Sequence, residues 1–96
     1  MYYALGVVYD RKNLPEEAMP YYLKAIALKP GHYFAMNNLA INYTQLGRKD
    51  LAMQYFKHAI DLNPGYKTTY DNLAFLYRMQ GDEKQAQETL KQKDDH

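Results

Sequence analysis

Apolar residues recur along this chain at the spacing of a helix face. Leu39, Tyr43 and Leu46 fall 4 and 3 residues apart, and Ala52, Phe56, Ala59 and Ile60 keep the same rhythm. Between these runs lies Gly47-Arg48-Lys49-Asp50. Gly47 suits the left-handed conformation that ends a helix, and Asp50 offers a side-chain oxygen to cap the next one. Gly81 and Asp82 repeat the arrangement further along. The pattern predicts six helices, over residues 2–12, 15–28, 33–46, 50–62, 67–80 and 83–92. Each pair reads as helix, short turn, helix, and the first two pairs close on a Pro-Gly corner.

Those corners disclose a longer period. Ala25-Ile26-Ala27-Leu28-Lys29-Pro30-Gly31 and Ala59-Ile60-Asp61-Leu62-Asn63-Pro64-Gly65 place Pro30 and Pro64 34 residues apart. At the same shift Leu5, Leu39 and Leu73 correspond, as do Gly6, Ala40 and Ala74, and Tyr9, Tyr43 and Tyr77. Ala18, Ala52 and Ala86 form another set, followed by Tyr22, Phe56 and Leu90. Small residues let helix backbones approach and large ones fill the holes beside them. The period therefore predicts three stacked hairpins, residues 1–31, 32–65 and 66–96, forming one domain. One position conflicts with it. Pro15 suits a first helical turn, but Pro20 removes an amide and crowds the carbonyl of Glu16. The second helix is therefore expected to begin late or to bend near Met19.

Composition narrows the function. The chain has 96 residues, a net charge of +1, and Lys and Arg spread along its length. That gives no electrostatic case for nucleic acid or for an anionic membrane. No apolar run approaches the length of a membrane span. The balance is that of an ordinary soluble chain; the cytoplasm is a default compartment that no residue identifies. Cys and Ser are both absent, which removes disulfides, thiolate zinc sites and the two commonest nucleophiles. His32, His58 and His96 read as solvated surface residues, and no set of them has metal-ligand spacing. No cofactor is implied and no catalytic residue is assigned. Eleven Tyr and no Trp are the compositional oddity, and most of the tyrosines fall on repeating core positions.

The repeated positions resemble the tetratricopeptide repeat family. Its signature is met by Tyr2, Leu5, Gly6, Tyr9, Ala18, Tyr22, Ala25 and Pro30. It recurs in Met36, Leu39, Ala40, Tyr43, Gly47, Ala52, Phe56, Ala59 and Pro64, and again in Tyr70, Leu73, Ala74, Tyr77, Gly81, Ala86 and Leu90. Asn13 replaces the turn glycine of unit one, and Lys93 replaces the second alanine of unit three. With the closing proline also missing there, the last helix is expected to fray. The resemblance implies an all-α, right-handed superhelical array (an α-solenoid) whose first helices line a concave groove. Carried over by position, the groove residues are Tyr3, Ala4, Val7 and Asp10; Phe34, Asn37, Asn38, Ile41 and Gln45; and Thr68, Asp71, Asn72, Phe75 and Arg78. Helical spacing groups Phe34, Asn38 and Ile41, and Asn72, Phe75 and Arg78, on faces distinct from the core.

Asn38 and Asn72 can each offer donors and an acceptor to an extended peptide, or simply bond a neighbouring helix. Phe34 and Phe75 read either as ligand contacts or as partly buried core. The family's carboxylate-clamp members use Lys and Asn in unit one, Asn in unit two, and Lys and Arg in unit three, where this chain has Tyr3, Val7, Asn38, Thr68 and Asn72. Only the asparagine of unit two survives, so capture of an acidic chaperone tail is disfavoured. RNA recognition would require a basic groove and a base-reading pair in every unit. The resemblance thus implies a protein-interaction module that binds a peptide or protein segment. The alternative is a scaffold that stacks on itself or on adjacent repeats through uncapped ends. The chain reads as an excerpt of a longer protein, with neither end carrying a polar cap; exposed ends that pair with or exchange helices with another copy are the sharper alternative.

Overall fold

The computed structural model describes all 96 residues. Six helices follow one another: α1 (Tyr2–Arg11), α2 (Pro15–Leu28), α3 (Tyr33–Gln45), α4 (Lys49–Leu62), α5 (Thr68–Met79) and α6 (Glu83–Asp94). Every helix lies within two residues of the bounds that the apolar rhythm predicts. They form three helical hairpins in an α-solenoid measuring 36 × 25 × 19 Å.

The three turns are built alike. Asn13, Gly47 and Gly81 sit one repeat apart and are left-handed, at φ of 60°, 77° and 78°. Asparagine is among the few residues with a side chain that tolerate this conformation, so it substitutes for the glycine. Beyond each turn residue the next amide bonds back to the repeated tyrosine. Leu14 N–H donates to the Tyr9 carbonyl at 3.0 Å, Arg48 N–H to Tyr43 at 2.8 Å and Asp82 N–H to Tyr77 at 2.9 Å. This bond satisfies a carbonyl that the helix end would leave open.

The helix starts differ. Asp82 caps α6, its carboxylate accepting from Gln85 N–H at 3.1 Å. Its counterpart one repeat earlier is Arg48, which offers no acceptor, so α4 starts at Lys49 and Asp50 lies inside the first turn. The expected capping role of Asp50 is thus corrected: its charge meets the positive end of the helix instead. Two further expectations are overturned. α2 starts at Pro15 and stays helical through Pro20. Pro20 and Glu16 are both exposed, so the lost bond lies where water can replace it. The last helix also runs past its expected end to Asp94, since no proline or glycine stops it. Lys67 Nζ donates to the Lys93 carbonyl and Lys93 Nζ to Asp71 Oδ1 at 2.9 Å, which ties this end to α5.

Packing follows the repeat. Ala18, Tyr22, Ala25, Ala35 and Leu39 form one buried cluster, and Ala40, Ala52, Phe56, Leu73, Ala74, Leu76, Tyr77 and Ala86 form the second. Each helix packs chiefly on its neighbours in sequence. Gly6 stands where the other units have Ala40 and Ala74. A Cβ there would lie 2.5 Å from the Tyr22 ring, closer than any real contact. The larger ring in unit one thus requires the smaller residue opposite it.

The two ends of the array differ. Along α6 only Ala86 and Thr89 are buried, and the exposed side is charged and amide-bearing. α6 therefore presents a polar outer surface, whereas α1 exposes Leu5 and Val8.

Candidate functional site

The first helices α1, α3 and α5 carry all the groove candidates. Ile41, Asn72 and Phe75 come together with Thr44, Gln45 and the buried ring of Phe56 around a cleft of about 280 Å³ between α3 and α5. Phe75 is 61% exposed, so it is not a core residue. Tyr3 and Phe34 lie in a separate aromatic row at the other end of the first helices. Tyr3 is 5.0 Å from the His32 ring and 6.3 Å from Phe34; Phe34 meets Tyr33 at 4.5 Å and the edge of Tyr66 at 4.8 Å. Phe34 keeps part of its ring exposed. Val7 is half-buried against the first core cluster.

The asparagines are engaged within the fold. Asn38 Nδ2 donates to Tyr22 Oη at 3.3 Å and to Tyr3 Oη at 3.5 Å. Asn72 Nδ2 donates to Asn37 Oδ1 at 3.0 Å. Asn37 is buried by this pairing and has no surface to offer, which withdraws it from the groove. Asn72 is half-buried and lines the cleft beside Phe75. Asp71 and Arg78 both face α6: Asp71 pairs with Lys93 at 2.9 Å and Arg78 Nε with Glu83 at 2.9 Å. Both pairs are exposed, so they orient the side chains without adding much stability.

Behind this surface lies a polar network. Asp10 of α1 accepts from Asn42 Nδ2 at 2.7 Å and from the Tyr22 hydroxyl, joining α1, α2 and α3. Burial chiefly, then the hydrogen bond to Asp10 and its charge, push the Tyr22 hydroxyl above its ordinary pKa. Asn42 is fully buried and its Oδ1 has no partner. The periodic reading missed Asn42, although a signal was present. Val8 and Leu76 occupy its place in the other units, so a buried amide there breaks the pattern.

Two tetratricopeptide repeat profiles match the chain, one over residues 1–32 and 35–66 and the other over 55–88. The chain belongs to the tetratricopeptide repeat family. Solved structures agree with that membership. A crystal structure of MamA shares 25% identity at a TM-score of 0.89, over 96% of this chain and 50% of that one. Another, from MamA AMB-1, shares 26% identity at a TM-score of 0.84, over 98% and 51%. YrrB, described as a TPR protein with an unusual peptide-binding site, shares the fold at a TM-score of 0.89 and 24% identity, over 98% and 48%. This chain therefore spans about half the length of these three structures. No curated protein matches it. As a tetratricopeptide array it has no group of three His, Cys, Asp or Glu side chains placed to hold a metal ion. No helix is long and apolar enough to cross a membrane.

Proposed function

We propose that this tetratricopeptide array binds a peptide or protein segment along its concave face, anchored in the cleft between α3 and α5. The three units, 1–31, 32–65 and 66–96, act in this as one domain. The observation that carries the reading is the Phe75 ring, held in the open beside Ile41 over the buried floor of Phe56. An exposed ring on a fixed helix can bury apolar area at roughly 25 cal/mol per Å² with little ordering cost. Asn72 Oδ1 and the Gln45 amide stand at the rim, where they can receive and donate bonds to a peptide backbone. Asn38 serves differently: its amide holds Tyr3 and Tyr22 in place and contributes to the shape of the groove.

The test is a selection of random peptides on the whole chain, followed by calorimetric titration of the best binder. Phe75→Ala is expected to weaken binding at least about tenfold, the effect of a central aromatic anchor. Asn72→Ala should weaken it less. Equal affinity in Phe75→Ala and the parent chain would remove this cleft from the binding site.

A further inference from the structure

Internal symmetry places a second subsite in the groove, one repeat before the cleft. The cleft is lined by Ile41, Thr44, Asn72 and Phe75 over the Phe56 ring. At the same positions one repeat earlier stand Val7, Asp10, Asn38 and Ile41, with Tyr22 in the place of Phe56. The register is shared and the chemistry is not. A carboxylate replaces the threonine hydroxyl, and a phenol replaces the bare ring.

The carboxylate is held in one position. Asp10 Oδ1 accepts from Asn42 Nδ2 at 2.7 Å and Oδ2 from the Tyr22 hydroxyl, which itself accepts from Asn38 Nδ2 at 3.3 Å. Tyr22 and Asn42 are fully buried, while Asp10 is half-buried and keeps part of its surface open. An ionised carboxylate has about four acceptor sites, so two donors leave it unfilled. Yet no cation of this chain pairs with it. The two ion pairs join Arg78 to Glu83 and Lys93 to Asp71, at α5 and α6. Arg11 is next in sequence, but adjacent residues on a helix do not face each other. A second acceptor is also idle. The Asn42 amide is turned onto Asp10, and its Oδ1 meets no donor although it is wholly buried. A fixed, half-desolvated negative charge with spare acceptors matches a cation that carries several N–H donors.

We infer that the seam between α1 and α3 takes a basic side chain, Arg or Lys, of the same peptide whose apolar residue enters the cleft between α3 and α5. The inference rests on the groove reading and adds a charge requirement to it. Helices packed side by side stand roughly 8–10 Å apart and an extended peptide advances about 3.3 Å per residue, so the two anchors lie about three residues apart.

The experiment selects random peptides on the whole chain and sequences the binders that Phe75→Ala releases. These are expected to carry Arg or Lys roughly two to four positions from an apolar residue. The best of them is acetylated, so that its terminal amine brings no charge. It is then titrated with the basic residue as arginine and as citrulline, which keeps the shape and loses the charge. Citrulline is expected to weaken binding to the parent chain at least about tenfold. On an Asp10→Asn chain the two peptides should bind alike. The asparagine keeps an oxygen for one of the two donors, and circular dichroism verifies the fold; the comparison on the parent chain needs no variant. Phe75-dependent binders that carry no basic residue, or that bind equally well with citrulline, would overturn this inference and leave the groove reading standing. So would an undiminished citrulline effect on folded Asp10→Asn. Binders indifferent to Phe75→Ala would overturn the groove reading, and this inference with it.

Discussion

Asp10 accepts two hydrogen bonds that no spacing rule announces. Its carboxylate takes the Asn42 amide and the Tyr22 hydroxyl, and both donors come from buried residues. Removing it takes the nearest acceptor from both donors and leaves the Asn42 amide only Gln45 Oε1 at 3.5 Å. Asp10→Ala should therefore lower stability by about 1–3 kcal/mol in urea melts, more than an exposed carboxylate would. The tyrosine side of this network gives a second expectation. Burial raises Tyr22, Tyr55 and Tyr70 above the usual phenol value near 10, so the folded chain holds these protons more tightly than the unfolded one. Their contribution is complete below about pH 10 and is lost as the pH rises beyond it. Melts at pH 8 and pH 11 should show the loss, and Tyr22→Phe should reduce it. The sequence marked Asn42 only as a break in the apolar pattern; its partners come from two other helices, which no spacing rule joins. Asp71 and Arg78 were legible as polar residues beside the groove. Their turn toward α6 depends on Lys93 and Glu83, which lie across a hairpin.

Single elements invite comparison because each has a counterpart one repeat away. Leu39 is fully buried and Leu5 is not, although both hold the same place in the pattern. Leu39→Ala should cost about 2–5 kcal/mol, and Leu5→Ala well under half as much. Similar losses at the two positions would mean that α1 is covered in solution. The start of α3 is marked by His32, whose Nδ1 accepts from Ala35 N–H at 3.2 Å. Burial, then the charge of Lys29, hold this imidazole below its ordinary pKa. Protonation would remove the acceptor. The unfolded chain takes the proton more readily, so stability that is complete above about pH 6.5 is lost as the pH falls through the lower folded value. His32→Asn keeps a capping oxygen and should flatten the dependence between pH 7 and pH 5. Helix positions were readable because the turn chemistry of Asn13, Gly47 and Gly81 agrees with the apolar rhythm. The misjudged points, Pro20 and Asp50, turned on whether a backbone carbonyl reaches water and on which neighbour occupies the cap.

At the scale of the whole molecule, contacts link helices that are near in sequence, so stability is distributed along the stack. Amide exchange should be slowest in α3 and α5, which are covered on both sides. It should be fastest in the outer helices α1 and α6, which bury one and two residues. The α-solenoid itself was legible from the 34-residue period, since equivalent residues meet equivalent neighbours. The candidate groove positions came from the family resemblance, with helical spacing grouping them on one face; which of them open to water depends on pairings such as Asn37 with Asn72.

The polar side of α6 has a further consequence for assembly. Charged and amide side chains cover its exposed side, so a contact made there would desolvate polar groups and bury little apolar area. Adhesion between molecules gains little at that surface.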